Sequence, residues 1–545
     1  MPPDPSSGND APERSPRRHK RLSGLGLLKS TSVVSTMTLL SRILGLVRDI
    51  VFARYFGATI VMDAFIVANR IPNMLRRFFA EGAFSQGFVP VMARYKENNE
   101  HDEAREFVDA IAGTLGLVLF LVTLVGVIAA PLLVLIVAPG FVGEDGRFDL
   151  ATAMLRFTFP YLLFVSLTAF AGGILNTYGK FGAPAFTPVL LNVVLISCAL
   201  WLAPRLDEPG MALAYGVFLA GVAQLLFQIP FLAKIHAVPR PSWRPKHDGV
   251  RRVGKLMLPA IFGSSVAQIN VLVGGIIASL LGVGKISYLY FSDRLMEFPL
   301  GLFGIALATV MLPTLSRQAA ANSMSEFSRT LDWSMKLVVL IAVPAAIGLV
   351  LLASPLLVTL FYGRIFTAID VEMAAISLQA FALGLIGFSF VKILAPAYFA
   401  REDTKTPVKY GLVALAVNFV LSVVLAWYLT RIDYAASHAG LALATSVAAI
   451  VNAWLLYRGL RKDAMLSHAR GWGVLMLRVL VANAAMIAAL MWLERPVDWW
   501  LAGNTFGRSL RLGITITVGA IVYFAVLAVL GLRSSQFRLA EPGQE

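Results

Sequence analysis

Charge is scarce in these 545 residues: only 14% are Asp, Glu, Lys or Arg, against roughly a quarter in ordinary soluble domains. Cysteine is scarcer still. The single Cys198 sits in an apolar run, which excludes a disulfide framework and a cysteine-based metal site. The six histidines (His19, His101, His236, His247, His438, His468) fall in tails, loops or helix ends, so no His cluster stands in the apolar segments to bind metal or relay protons. No GxxxxGK[ST] motif exists, because Gly179-Lys180 and Gly284-Lys285 have Ile174 and Ser279 where the first glycine belongs; this argues against ATP hydrolysis. There is also no DDxxD acid pair, and the longest loops run to only about 20 residues, too short for a soluble catalytic domain. A transferase acting on polyprenyl phosphate would need such parts. The expectation is therefore neither an enzyme nor a holder of any metal or cofactor.

What is present is apolar. Residues of the AVILMFWYC set make up 57% of the chain, the mean hydropathy is +0.73, and the apolar residues come in blocks of about 20 or more, the length that crosses a bilayer as a helix. The fold class expected is an all-α polytopic membrane protein with about fourteen transmembrane helices. The net charge of +15 would suggest nucleic acid in a soluble protein, but here basic loops account for it, so no nucleic-acid partner is expected. Lys and Arg gather beside one alternating set of loops and in both tails, which puts the termini in the cytoplasm by the positive-inside rule. Seven of them (Lys234, Arg240, Arg244, Lys246, Arg251, Arg252, Lys255) crowd the loop after the sixth segment.

That loop divides a duplication. Pro90 in FVPVMARYKENN and Pro313 in MLPTLSRQAAAN lie 223 positions apart, as do Pro184 in GKFGAP and Pro407 in EDTKTP. Two landmarks with one offset imply two repeats of six helices in the same orientation, with the last two helices outside them. The expected organisation is a disordered cytoplasmic tail (1–24), a first lobe (25–233), a basic linker (234–252), a second lobe (253–460), two extra helices (461–533) able to cradle a lipid tail, and a C-terminal tail (534–545).

Ionisable groups inside membrane helices are costly, at about 2.5–3.5 kcal/mol each on insertion scales, and so call for a reason. The first segment holds Arg42, Arg48 and Asp49; the second holds Asp63, Arg70, Arg76, Arg77 and Glu81 around Pro72; the eighth holds Asp293, Arg294 and Glu297 before Pro299; Lys392 stands alone in the tenth. Positive groups exceed negative ones by two, and arginine dominates them, the residue that stays protonated and grips phosphate with two parallel hydrogen bonds. A water-filled cavity between the lobes that receives an anionic headgroup fits this pattern. The competing account is that the charges pair with one another, or that Asp49, Asp63, Asp293 and Glu297 carry protons or sodium. Arg42, Arg48, Arg76 and Arg294 are the expected substrate ligands, with Arg42 facing Arg294 across the lobes. Asp49, Asp63, Arg77, Glu81, Asp293 and Glu297 are the supporting cavity charges. Pro72 and Pro299 are the candidate hinges.

Several long strings are distinctive: LLKSTSVVSTMTLLSRILGLVRDIVFARYFGAT, DAFIVANRIPNMLRRFFAEGAFSQGFVPVMARY, YLYFSDRLMEFPLGLFGIALATVMLP and DTKTPVK. Together they resemble the MurJ/MviN lipid II flippases of the multidrug/oligosaccharidyl-lipid/polysaccharide exporter superfamily, over roughly residues 25–535. The resemblance implies two six-helix lobes forming a V around a cationic cavity and a lipid groove by the last two helices. It implies movement of the undecaprenyl-pyrophosphate-linked peptidoglycan precursor, lipid II, between leaflets of the bacterial cytoplasmic membrane, driven by the membrane potential or an ion gradient. The family's cavity arginines match Arg42, Arg48, Arg76 and Arg294, and its helix-two acid matches Asp63. The seventh segment lacks an acid, unlike relatives with a sodium site. A related polysaccharide-lipid flippase or a cation-coupled small-molecule exporter is the alternative.

Overall fold

The computed structural model describes residues 24–79, 82–97, 101–143, 145–301, 305–466 and 471–532. The expected tails up to residue 23 and from 534, and Glu81, lie outside the described residues. Among those described, all regular structure is helical, as a chain that must satisfy its backbone without water requires.

The described residues of the expected apolar segments are helical. In the first repeat these are α1 (Gly24–Phe56), α2 (Ile60–Phe79) and α3 (Gly82–Glu97), α4 (His101–Ile128) and α5 (Ala130–Val137), α6 (Arg147–Thr158) and α7 (Tyr161–Thr177), α8 (Gly182–Ser197) and α9 (Met211–Lys234). The second repeat has α10 (Asp248–Ser279), α11 (Lys285–Pro299) and α12 (Ile305–Ala320), α13 (Met324–Leu351) and α14 (Ala353–Leu360), α15 (Ala368–Phe399), α16 (Lys405–Arg431) and α17 (Ala439–Lys462). Then come α18 (Trp472–Leu493), α19 (Val497–Ala502) and α20 (Thr505–Val529).

The duplication extends beyond the two proline pairs that revealed it. α5 and α14 both have 8 residues and start 223 positions apart, and α10 ends 223 positions after α1.

Ten helices among the described residues are long and apolar enough to cross a membrane. The four expected segments that do not qualify are α1, α2 with α3, α10, and α11 with α12. Three of these carry the buried charges, and α10 begins with Arg251, Arg252 and Lys255. Polar side chains lower their hydropathy because they line the interior between the repeats, where lipid does not reach.

The linker 235–247 lies on the start of α4. Asp109 holds it, its carboxylate accepting from Arg240 N (2.6 Å) and its carbonyl from Ser242 N (3.0 Å). This defines a linker end of the bundle. At the far end the short connections after α1, α5, α10 and α14 meet, and basic residues there cap helix C-termini. Arg54 donates to the carbonyls of Leu360 (3.2 Å) and Thr359 (3.3 Å) at the end of α14. Arg511 donates to Leu493 O (3.1 Å) at the end of α18, and Arg508 to Leu501 O in α19. The negative end of a helix dipole and its unpaired carbonyls account for these arginines without any ligand.

Candidate functional site

A cavity of about 540 Å³ lies between the repeats, walled by α1, α2, α7, α8, α9, α10, α11, α15, α16 and α17. Five guanidinium groups line it, those of Arg48, Arg70, Arg76, Arg77 and Arg294, and the carboxylates in its wall are Asp293 and Glu297. The excess of positive charge read from the sequence is thus real in space, and larger at the wall than along the chain.

The most connected part joins α1 to α11. Arg48 lies against its neighbour Asp49, with Nε at 3.0 Å and Nη2 at 2.8 Å from Oδ1. Its Nη1 donates to Asn192 Oδ1 on α8 (3.1 Å), and Asn192 is held by bonds from its amide to the carbonyls of Ser41 and Pro188 (both 3.1 Å). Across the gap, the Tyr290 hydroxyl donates to Asp49 Oδ1 (3.0 Å), and the Arg294 guanidinium sits over the Tyr290 ring at 5.0 Å. Arg294 Nη1 donates to Glu297 Oε2 (2.8 Å), while its Nε stands 3.9 Å from Asp49 Oδ2. Asp49 is buried and serves as the hub between two arginines. Tyr290, Asp293, Arg294 and Glu297, spaced three and four residues apart, all line the cavity from α11. Asn192 escaped the sequence reading, although a lone amide in an apolar run is a visible signal.

Arg42 does not line the cavity. Its guanidinium covers Gly301, where a Cβ would come within 2.0 Å of Nη1. The expected partner of Arg294 across the repeats is therefore not Arg42 but the Arg48–Asp49 pair, because Arg42 lies nearly two turns nearer the linker end and reaches Gly301, just past the end of α11 and seven residues beyond Arg294. Arg70 uses a similar niche on α10: a Cβ on Gly275 would lie 1.5 Å from its Nη1, a buried atom with no hydrogen-bond partner. Gly275→Ala must therefore expel Arg70. The expected cost is about 1–3 kcal/mol of overpacking, read as a lowered melting temperature that Arg70→Ala in the same chain restores.

Asp63 is not a cavity charge. It is fully buried at the far end, where Oδ2 accepts from Gly284 N (2.7 Å) and Oδ1 from Ser287 N (3.0 Å) and Ser287 Oγ (2.6 Å). These donors open α11, so a carboxylate of the first repeat caps a helix of the second, where orphan N–H groups and the positive dipole end favour an anion. Gly284 adopts φ 80° and approaches Ala58 O so closely that a Cβ would sit 2.9 Å away; only glycine turns its N–H toward Asp63 there. Gly140 N donates to Ser279 Oγ (3.2 Å) beside it. The far end is closed by these bonds.

Pro72 is buried within α2, and Pro299 is the last residue of α11. Lys392 is exposed on α15, away from the cavity. On the α10 side, Asn418 donates to Asn270 Oδ1 (2.5 Å), and Ser422 and Thr445 donate to Asn418 Oδ1 (both 3.4 Å). This neutral amide and hydroxyl network, with Gln268 nearby in the cavity wall, contains no carboxylate. It does not fit a dedicated sodium site, whose charge a hard cation would need balanced.

Residues 52–530 match the family model described as "Lipid II flippase MurJ". The chain belongs to the MurJ family. It is 45% identical over 521 residues to the "Probable lipid II flippase MurJ" of Vibrio cholerae, covering 94% of this chain and 98% of that one. It is 41% identical over 521 residues to the "Lipid II flippase MurJ" of Burkholderia cenocepacia, covering 94% and 99%. Among solved structures, "Lipid II flippase MurJ, inward closed conformation" superposes with a TM-score of 0.74 at 25% identity, over 91% of this chain and 98% of that one. An inward-facing multidrug resistance MATE transporter superposes with a TM-score of 0.64 at 13% identity, over 79% and 98%, a likeness of fold alone. Like its MurJ relatives this chain is a multi-pass membrane protein.

Proposed function

We propose that this chain is a transporter that carries lipid II from the inner to the outer leaflet of the bacterial cytoplasmic membrane by alternating access. The observation that carries the reading is the cavity between the repeats, in which five arginines face two carboxylates. A diphosphate neutralises that excess, and guanidinium forks match its oxygens. A cation exporter would instead want acids in the wall. The pairing of Arg48 and Arg294 through Asp49 and Tyr290 supports a site that is preformed but can exchange a carboxylate for a phosphate oxygen. Arg42, nearer the linker end, would meet the diphosphate on entry. The polyprenyl tail would stay in lipid along α18 and α20. The decisive experiment is direct: depletion of the protein should trap lipid II in the inner leaflet, and re-expression should release it.

In this orientation the linker end is cytoplasmic, both termini included, and the far end is outside. A cysteine at Gly143 in intact cells should react with an impermeant thiol reagent while one at Lys246 should not; the reverse pattern would invert the assignment. Pro72 and Pro299 would supply the bending between the two accessible states, since each frees a carbonyl in a cavity-lining helix. With both replaced by alanine, transport should slow about tenfold or more without loss of lipid II binding. Unchanged rates and unchanged accessibility would make the prolines static kinks.

A further inference from the structure

A second cavity, of about 570 Å³, opens on the outer face of the second repeat between α13, α15, α17 and the start of α18. None of its lining residues lines the central cavity. Its deep part is apolar, with Ile386, Phe390, Ile450 and Ala453 in the wall, and its mouth toward the linker end is polar. There Trp472 Nε1 donates to Asp332 Oδ1 (2.7 Å), and Lys336 Nζ lies 2.7 Å from Asp332 Oδ2, so the Asp332 carboxylate is spent internally. Arg461 stands over the Tyr457 ring at 5.8 Å, and one turn earlier Arg458 stands over the exposed Trp454 at 5.3 Å. Aromatic rings beneath basic heads at one level mark the membrane–water interface.

We infer that this pocket binds an anionic phospholipid, one acyl chain inserted among α15 and α17 and its phosphate held by Arg461. The pocket's lining favours that occupant, since the apolar wall suits an acyl chain and the aromatic, basic mouth suits a headgroup at the interface. Its length agrees, since Ile450 to Arg461 spans about 16 Å along the helix. The charge agrees, since Arg458 and Arg461 stand at the mouth while Asp332 already pairs with Lys336. The site is independent of the cargo reading. It would tie the second repeat and α18 to a lipid of the linker-end leaflet.

The test uses the full-length protein in nanodiscs of phosphatidylcholine with or without phosphatidylglycerol. Phosphatidylglycerol should raise the melting temperature of the native protein by several degrees and remain attached in native mass spectrometry. Ala453→Trp, which fills the pocket, and Arg461→Gln, which removes the phosphate contact, should each lose most of that increment while melting normally in phosphatidylcholine and binding undecaprenyl pyrophosphate normally. An undiminished phosphatidylglycerol effect in both variants would overturn the proposal. So would a tenfold loss of undecaprenyl pyrophosphate binding with the phospholipid effect intact, which would make the pocket a seat for the cargo's tail. A dimer of the native protein abolished by Ala453→Trp would assign the pocket to a second copy and overturn it equally.

Discussion

Arg48→Ala and Arg294→Ala should each fail to support growth of a strain depleted of the native protein, and should bind lipid II at least about tenfold more weakly. A guanidinium holding a diphosphate oxygen in a partly dehydrated site contributes about 1.5–3 kcal/mol. The two residues are coupled through Asp49 and Tyr290, so the double variant should lose less than the sum of the single losses. Lysine keeps the charge without the fork and should retain part of the function. The competing account, in which the arginines merely balance Asp49, makes a different prediction: Arg48→Ala with Asp49→Asn should then restore growth. Such a rescue, or native binding in the single alanine variants, would leave the charges structural and remove the ligand role.

Asp63→Ala should open the far end. Three donors, Gly284 N, Ser287 N and Ser287 Oγ, lose a buried carboxylate, and losing even one hydrogen bond to a charged group costs about 1.5–3 kcal/mol, enough to shift a two-state equilibrium by about ten- to over a hundredfold. A cysteine at a cavity position such as Asn69 should become reactive from the far end in the variant and stay protected in the native chain. Transport should fall to background, because a cavity that cannot reseal on that side cannot reload from the other. Asp63→Asn, which still accepts but cannot balance the helix dipole, should fall between. Unchanged reactivity from the far end would show that the cap does not hold the gate.

Much of the architecture was legible because membrane insertion writes it into the sequence in a simple code. The blocks of apolar residues became helices among the described residues. The 223-residue offset became two repeats whose corresponding helices α5 and α14 start 223 positions apart. The charged stripes of α2 and α11 became the wall of a cavity, since helical periodicity puts residues three, four and seven apart on one face whatever the helix packs against.

The pairings were not legible. Periodicity fixes the face of a residue and is silent about which helix that face meets and at what depth. Asp63 and Arg70 stand seven apart on one stripe of α2, yet one caps α11 at the far end and the other fills a niche on Gly275 in the cavity. Arg42 and Arg48 are closer in sequence than that, and only Arg48 reaches the cavity wall. The glycines that admit Arg42 and Arg70 carry no sequence signal, because small residues are common in membrane helices for packing alone. The sequence by itself determined the segments, the repeat and the sign of the cavity's charge, all set by local hydropathy and composition. The tertiary structure alone decided which charges line the cavity, which pair with one another and which cap the far end, because that depends on the depth and register at which two repeats, distant along the chain, close against each other.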